Sequence, residues 1–408
     1  MRLVFWGGAV AVGAVSVAFA AAATRMAALF HTMLFNPWIA LVLTPAGFTL
    51  SAWIAARYFP GSQGSGIPQA IAARHIRDTG LRSQIHSLRL TFGKIVLTLF
   101  GLACGASIGR EGPTVQVGAA IMLQSARIGR MISQRGVILA GSAAGVAAAF
   151  NTPLAGIVFA IEEMGRAFEQ RTSGLVLIAV ILAGMASLGL VGNYSYFGSN
   201  ASMLTVTIDW VALPLCGIAG GVLGALFARA VLRINAFTSA YVAANPRRLM
   251  LVAFVAGVIV ALCGLASGGA TYGTGYEAAR LAVEGGGMSF GFAPLKFLAT
   301  VASTCSGIPG GLFAPSLSIG AGLGETVAAA LHVHAPGAIV LLGMTAYFAG
   351  VVQAPITAAV IIGEMTNATA MRLPLLLAAL IGYGISRAIQ RESLYHAMAR
   401  QFLANLKR

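Results

Sequence analysis

Three short segments rich in glycine and proline interrupt a mostly apolar sequence, and their residue types could hold a small anion. The segments are GSGIP (residues 64–68), GREGP (109–113) and GGLFAP (310–315). Proline is tolerated in the first turn of a helix and glycine suits the loop before it, so GREGP and GGLFAP predict helix starts near Arg110 and Leu312. N–H groups at a helix start lack helical partners and the helix dipole is positive there, which favours an anion without a cationic side chain.

One of these helix starts carries an acid, Glu111, directly after Arg110. An ionised carboxylate and an anion would compete for the same N–H groups, so proton binding and anion binding would be linked. An acid placed inside a membrane is a functional candidate by default. The alternative is that Arg110 and Glu111 form an ordinary surface pair at a helix entrance.

The composition places these segments in a membrane. Of the 408 residues, 58% are hydrophobic and only 9% are charged, whereas a soluble domain has about 25% charged residues. The uncharged runs 136–161 and 337–363 each exceed the roughly 20 residues that cross the hydrocarbon core as a helix. The uncharged run 3–24 is too long for the core of a signal peptide and favours a first spanning helix. The sequence therefore predicts an all-α polytopic membrane protein.

The net charge of +15 comes largely from arginines and lysines in short linkers, such as residues 71–94 and 127–135, and in the C-terminal tail. A nucleic-acid-binding patch is one interpretation. Basic loops between membrane spans are better explained by their preference for the cytoplasmic side and for anionic lipid. We therefore expect membrane lipid rather than nucleic acid as a partner, and a cytoplasmic C-terminal tail.

The cysteines and histidines give no sign of a metal site. The four cysteines lie in apolar surroundings without paired metal-ligand spacing, and the six histidines form no two-ligand pattern with a nearby carboxylate. We therefore expect buried, inert thiols, no metal and no other cofactor.

An internal duplication organises the chain. A shift of 202 residues places segment 109–119 on 311–321 and segment 151–162 on 353–364, and it matches three pairs of residues that are rare here: Lys94/Lys296, Pro153/Pro355 and Glu162/Glu364. We therefore expect two homologous repeats, residues 1–200 and 205–390, followed by the end of a C-terminal helix and a short tail at 391–408. Secondary transporters are commonly built from inverted repeats whose broken helices meet at mid-membrane. We favour that arrangement, although parallel repeats would give the same offset.

The order of the motifs resembles a known family. GSGIP, GREGP, GGLFAP and a late tyrosine in LYHAMA (residues 394–399) resemble the signature set of the CLC family of chloride channels and chloride/proton exchangers, over nearly the whole chain. The resemblance implies that the hydroxyls of Ser65 and Tyr395 bind chloride together with backbone groups of four residues, Gly66, Ile67, Leu312 and Phe313. It implies that Glu111 is the external gate and proton acceptor.

A second acid separates exchangers from channels in this family. The segment NTPLAGIVFAIEEM (residues 151–164) ends in a Glu162–Glu163 pair, and the resemblance implies that Glu163 transfers protons on the inner side. Glu162 has a counterpart in Glu364 and is interpreted as a structural acid whose partner is a helix terminus or an arginine. The alternative for Glu163 is a solvated helix end near Arg166 and Glu169.

The favoured function is that of a prokaryotic-type antiporter, not an enzyme, that exchanges chloride for protons as a homodimer in the inner membrane. Nitrate and bromide are further candidate anions. A passive voltage- or pH-gated chloride channel is the first alternative, and a fluoride-selective member is disfavoured because GSGIP is intact. An intramembrane serine protease would need a histidine against Ser65, yet His75 and His86 lie in a basic linker. Three aromatic residues, Tyr194, Tyr196 and Trp210, are expected to form an interfacial belt.

Overall fold

The computed structural model describes residues 2–131, 134–165, 170–192, 195–205 and 207–406. Within these ranges the regular structure is helical. β-Type backbone pairing is limited there to two isolated bridges, Gly64 with Pro309 and Gly109 with Gly311. The predicted all-α architecture is confirmed.

The first half of the chain alternates long helices with short ones. Its helices are α1 (Arg2–Met33), α2 (Ala40–Tyr58), α3 (Ile67–His75), α4 (Thr79–Ile85), α5 (Leu88–Ala103), α6 (Glu111–Ile128), α7 (Gln134–Phe150), α8 (Pro153–Phe159) and α9 (Gln170–Val191). A 3₁₀ turn (Pro37–Ile39) precedes α2, and a π-helical segment (Ala160–Gly165) follows α8 directly.

The second half has a similar order, without a described counterpart of α4, and adds a terminal helix. Its helices are α10 (Thr207–Ala244), α11 (Arg248–Ala266), α12 (Tyr276–Val283), α13 (Phe292–Cys305), α14 (Phe313–Leu331), α15 (Pro336–Val352), α16 (Pro355–Met365), α17 (Arg372–Ile389) and α18 (Leu394–Leu406). A 3₁₀ turn (Thr369–Met371) precedes α17.

The duplication is visible in the backbone. Four helices of the first half, α6 to α9, begin 202 residues before their counterparts α14 to α17. Even the irregular residues match, because left-handed φ angles recur at the same offset, at Gly105/Gly307 (80° and 84°), Arg130/His332 (50° and 51°) and Asn151/Gln353 (56° and 59°). The described parts of segments 105–191 and 307–389 therefore share a backbone pattern as well as a sequence offset.

The two long uncharged runs are not single spans, and that prediction was wrong. Run 136–161 divides between α7 and α8, and run 337–363 divides between α15 and α16. At each break, Asn151 or Gln353 turns left-handed, and Pro153 or Pro355 opens the next helix. Proline disfavours helical geometry in the residue before it, so the backbone breaks although the composition stays apolar.

Other helices are long enough to cross a membrane. Seven segments of the described chain are sufficiently long and apolar: Arg2–Met33, Pro37–Tyr58, Thr79–Ala103, Gly174–Val191, Thr207–Ala244, Arg248–Ala266 and Thr369–Ile389. The first contains the run 3–24, as expected for a spanning helix. By contrast α7 and α15, which pack against α6 and α14, are almost entirely buried within the protein. The chain is thus a multi-pass membrane protein with short helices enclosed by long ones.

Candidate functional site

Three helix starts meet at one place, held by backbone hydrogen bonds. Gly109 and Gly311 exchange two N–H···O bonds of 2.7 Å each. Gly64 donates to the Ile308 carbonyl and accepts from the Gly310 amide, at 3.2 Å in both cases. Helices α3, α6 and α14 therefore begin side by side, as the glycine- and proline-containing motifs predicted.

Both charged residues of GREGP are buried. Glu111 is 1% exposed and Arg110 is 6% exposed, so the alternative of a surface pair is wrong. Arg110 precedes α6 and donates from Nη1 to the Ala20 carbonyl of α1 at 2.5 Å. Its guanidinium carbon lies 5.3 Å from the centre of the Tyr196 ring. Arg110 therefore joins α1 to the start of α6.

The Glu111 carboxylate lies at the junction of two helix starts. It folds over Gly109, where an added Cβ would collide with Oε2, and it faces the backbone amides of Glu111 itself and of Ala314. Its side-chain hydrogen bond within the described residues comes from the Tyr196 hydroxyl to Oε1, at 3.4 Å. The acid thus occupies the kind of position in which helix-start N–H groups stabilise negative charge.

The GSGIP loop contacts the start of α6 closely. An added Cβ on Gly112 would collide with Ser65 Oγ and lie 2.8 Å from the Ser65 carbonyl oxygen. The Gly66 amide donates to Gln69 Oε1 at 3.0 Å, and Gln69 Nε2 donates to the Gln63 carbonyl at 2.8 Å. Of the amides that the resemblance assigned to chloride, that of Gly66 is therefore already hydrogen-bonded within its own loop. The Gln69 side chain thereby shapes this loop.

The start of α14 offers two further amides. Leu312 precedes the helix and Phe313 is its first residue, so neither N–H has a carbonyl partner within the helix. The Phe313 ring packs in a set of aromatic rings formed by Phe150, Phe159, Phe348 and Tyr395, with centroid distances from 4.7 to 5.9 Å. These contacts fix the α14 start against α7, α8, α15 and α18.

Tyr395 brings the terminal helix α18 to the same site. Its ring stacks on Phe313 with an interplanar angle of 18°, and the residue has no exposed surface. The Tyr395 and Ser65 hydroxyls are close enough to act on each other, but their contact does not have the geometry of a normal hydrogen bond. Neither oxygen has another hydrogen-bond partner among the described residues. Buried hydroxyls normally have such a partner. The pair is therefore placed to bind a ligand between the helix starts.

Glu163 lies in the π-helical segment after α8 and is 2% exposed. Its charge and that of Glu111 both act on the Tyr395 hydroxyl. This burial contradicts the alternative of a solvated helix end, whose proposed neighbours Arg166 and Glu169 lie outside the described residues. Glu163 and Glu111 are thus two buried acids that both act electrostatically on Tyr395.

Glu162, by contrast, binds the opposite repeat. It accepts from the amides of Ile356 and Thr357 at 3.1 and 2.6 Å. Of the two partners expected from the sequence, a helix terminus is therefore the one observed.

The alternative site chemistries find little support. Ser65 Oγ forms no hydrogen bond with a histidine in the described chain, so it lacks the base that a serine protease needs. No group of three or more potential metal ligands occurs within the described residues. All four cysteines are buried thiols, as expected.

One residue of the site was misassigned from the sequence. Tyr196 was expected in an interfacial belt with Trp210 and Tyr194. Trp210 is half-exposed and Tyr194 lies outside the described residues, but Tyr196 is 5% exposed and touches Glu111. It belongs to no glycine-rich motif and lies in the loop between the repeats, so the sequence carried no local signal of its position.

Comparisons with known proteins identify the family of this chain. The family model described as voltage gated chloride channel matches residues 47–387. H(+)/Cl(-) exchange transporters ClcA of Yersinia pestis bv. Antiqua (strain Angola) and Yersinia pseudotuberculosis serotype O:3 (strain YPIII) are each 30% identical over 393 residues, covering 90% of this chain and 80% of the relative.

Solved structures share the fold at lower identity. A slow cyanobacterial Cl-/H+ antiporter aligns with a TM-score of 0.86 at 24% identity, over 100% of this chain and 98% of its own. A CLC-type fluoride/proton antiporter aligns at 0.80 and 23% identity, over 97% of this chain and 96% of its own. The family-model match and the similarity of these relatives over most of both chains lead to one conclusion: the chain belongs to the CLC family of voltage-gated chloride channels and transporters.

Proposed function

We propose that this protein exchanges chloride for protons across the membrane, with Glu111 as the gate. The observation that carries the proposal is the position of the Glu111 carboxylate, at the joined starts of α6 and α14 and against the Ala314 amide. A chloride ion would need the same N–H groups. When Glu111 binds a proton it loses the charge that holds it there, so the side chain can leave and the anion can enter.

The anion site proposed here is formed by Ser65, Tyr395 and the amides of Ile67, Leu312 and Phe313. The two hydroxyls lack partners of normal geometry in the described chain, and both residues are at most 2% exposed. Neutral donors of this kind bind an anion without the long residence that a direct Lys or Arg contact would give, which suits an ion that must leave again.

A buried lysine lies next to this site. Lys94 Nζ donates to the Gly64 carbonyl at 3.1 Å, one residue before Ser65. The Lys94 side chain thus helps to fix the backbone of the GSGIP loop.

Exchange is favoured over a passive channel by Glu163. Glu163 is 2% exposed, and an acid buried inside a membrane protein is a functional candidate. We assign Glu163 to proton transfer from the inner side, because its charge acts on the same Tyr395 hydroxyl as that of Glu111. A proton and a chloride would then reach the site along different routes.

The setting of this activity is also a proposal. The basic linker between α3 and α5 favours the cytoplasmic side, and the bacterial relatives favour the inner membrane of a prokaryote. The assembly proposed is a homodimer with one pore in each subunit. Leu154 and Ile356, the repeat-related residues of α8 and α16, are each about half-exposed and would contribute to its apolar interface. Cross-linking of the reconstituted protein at low density tests the dimer.

Reconstitution into liposomes, with chloride and pH electrodes read together, tests the function. An outward chloride gradient should drive protons inward against their own gradient. Chloride flux without proton movement would identify a passive channel and overturn the exchange proposal. Repeating the experiment with fluoride, nitrate and bromide measures anion preference, and coupled flux of fluoride alone would move the protein to the fluoride-selective class.

A further inference from the structure

A cavity of about 500 Å³ lies outside the Glu111 gate. Its walls come from α1, between Ala23 and His31, and from the glycine-rich loop 268–275 that precedes α12. Two residues close it on the side of the site, Arg110 and Tyr196. Because Tyr196 also touches Glu111, its side chain lies between the cavity and the gate.

The Tyr196 ring is held from several sides. It makes edge contacts with Phe150, Phe197 and Tyr276 at centroid distances of 5.8, 5.1 and 5.0 Å. The Arg110 guanidinium packs on the ring at 5.3 Å. Aromatic pairs and cation–π contacts of this kind restrict a ring in both position and orientation. Although Tyr196 lies in a loop, these contacts hold its hydroxyl toward Glu111.

We infer that Tyr196 is a positioning residue that latches the Glu111 gate and sets how readily the carboxylate leaves its closed position. The inference rests on the proposed function, in which Glu111 leaves its position once protonated. The Tyr196 hydroxyl donates to Glu111 Oε1 at 3.4 Å. A bond to an ionised carboxylate is roughly twice as strong as one between neutral groups. The latch therefore holds the charged, closed gate and loosens when a proton binds.

The hydrogen bond from Tyr196 to Glu111 is long enough to be broken easily. A hydroxyl and a carboxylate normally approach to about 2.7 Å, so a separation of 3.4 Å is at the outer limit. A shorter bond would hold the gate more firmly against opening. Glu111 is not among the residues that line the cavity, so Tyr196 stands between its carboxyl group and this space.

Other charged or titratable groups act on Glu111, and the test must separate them from Tyr196. Arg110 acts from its own helix, and Tyr395 acts from α18 on the opposite side. Across the cavity, the lining includes His31 of α1 and Glu277 of α12. Replacing Tyr196 by phenylalanine removes only its hydroxyl oxygen and leaves these four residues in the protein.

Tyr196→Phe removes the hydroxyl and keeps the ring contacts. Loss of one donor to the ionised gate should shift the half-maximal pH of chloride flux upward by about 0.5 to 1 pH unit. The matched control is Tyr276→Phe, which touches the same ring but whose hydroxyl faces Arg280; its pH profile should equal that of the wild type. Elution from a sizing column and the melting temperature check that each variant is folded.

A double-variant cycle separates a latch from general structural support. In the Glu111→Gln background, Tyr196→Phe should have no further effect on flux. An equal effect in both backgrounds, or a Tyr196→Phe profile unchanged from the wild type, would overturn the inference. If Glu111→Gln itself left proton coupling intact, the proposed function would fail instead, so the two failures are distinguishable.

Discussion

Glu162 and Glu364 each cap a helix of the opposite repeat, with matching geometry. The Glu162 carboxylate accepts from the first amides of α16 at 3.1 and 2.6 Å, and Glu364 accepts from Leu154 and Ala155 of α8 at 3.2 and 2.7 Å. Together with the paired bonds of Gly109 and Gly311, this reciprocity shows that the repeats are related by an approximate two-fold axis.

We expect Glu162→Ala and Glu364→Ala each to lower the free energy of unfolding by about 1–2 kcal/mol, because each removes the acceptor for two helix-start amides. Melting temperatures in detergent measure the effect, and proton coupling should survive. The control is Glu284→Ala, which removes an exposed pair with Arg280 and should change stability little. A stable Glu162→Ala protein that has lost proton movement would contradict the structural role.

Glu111→Gln should abolish proton coupling and make chloride flux independent of pH, because a neutral side chain cannot compete with the anion by charge. Chloride and pH electrodes on liposomes measure both quantities. The control is Glu284→Gln on the protein surface, which should behave as the wild type. A Glu111→Gln variant that still pumps protons would exclude Glu111 as the gate.

Glu163→Gln should stop proton movement while chloride still passes, because only the proton route would use this acid. The neighbouring variant Glu162→Gln serves as the control, since Glu162 is bound to α16 and should keep coupled exchange. If proton pumping persisted in Glu163→Gln and was lost in Glu162→Gln, the assignment of the two acids would have to be reversed.

Tyr395→Phe should weaken chloride binding about tenfold, because one hydroxyl donor to the anion is lost while the ring still stacks on Phe313. Tyr395→Ala should weaken it further. Calorimetric titration with chloride measures both. The control is Tyr347→Phe, since Tyr347 is equally buried but its ring packs on Phe227. Unchanged affinity in both Tyr395 variants would remove this residue from the anion site.

The duplication was readable from the sequence because rare residues kept one spacing across an apolar chain. The helix starts at Glu111 and Phe313 were also predictable, since glycine and proline restrict the backbone there. The broken helices at Asn151 and Gln353 were missed, because hydropathy does not register a backbone break between two apolar segments. The proline after each break was the available signal.

The position of Tyr196 could not be predicted in the same way. Its contact with Glu111 joins residues 85 apart in the chain and belongs to no periodic pattern. The reciprocal capping by Glu162 and Glu364 could be predicted only in part from the sequence. The 202-residue offset indicated that the two acids are equivalent and structural, but only the fold shows which helix each one binds.

Glu111 and Phe313 occupy equivalent positions at the 202-residue offset, each two residues after one of the bridged glycines Gly109 and Gly311. At one such position the chain has a titratable acid, and at the other it has an aromatic ring that stacks on Tyr395. The backbone at these two helix starts is therefore nearly symmetric, whereas its chemistry is not. In the proposed exchange only the Glu111 side of this pair responds to a proton, while the Phe313 side keeps its stacked ring at every pH.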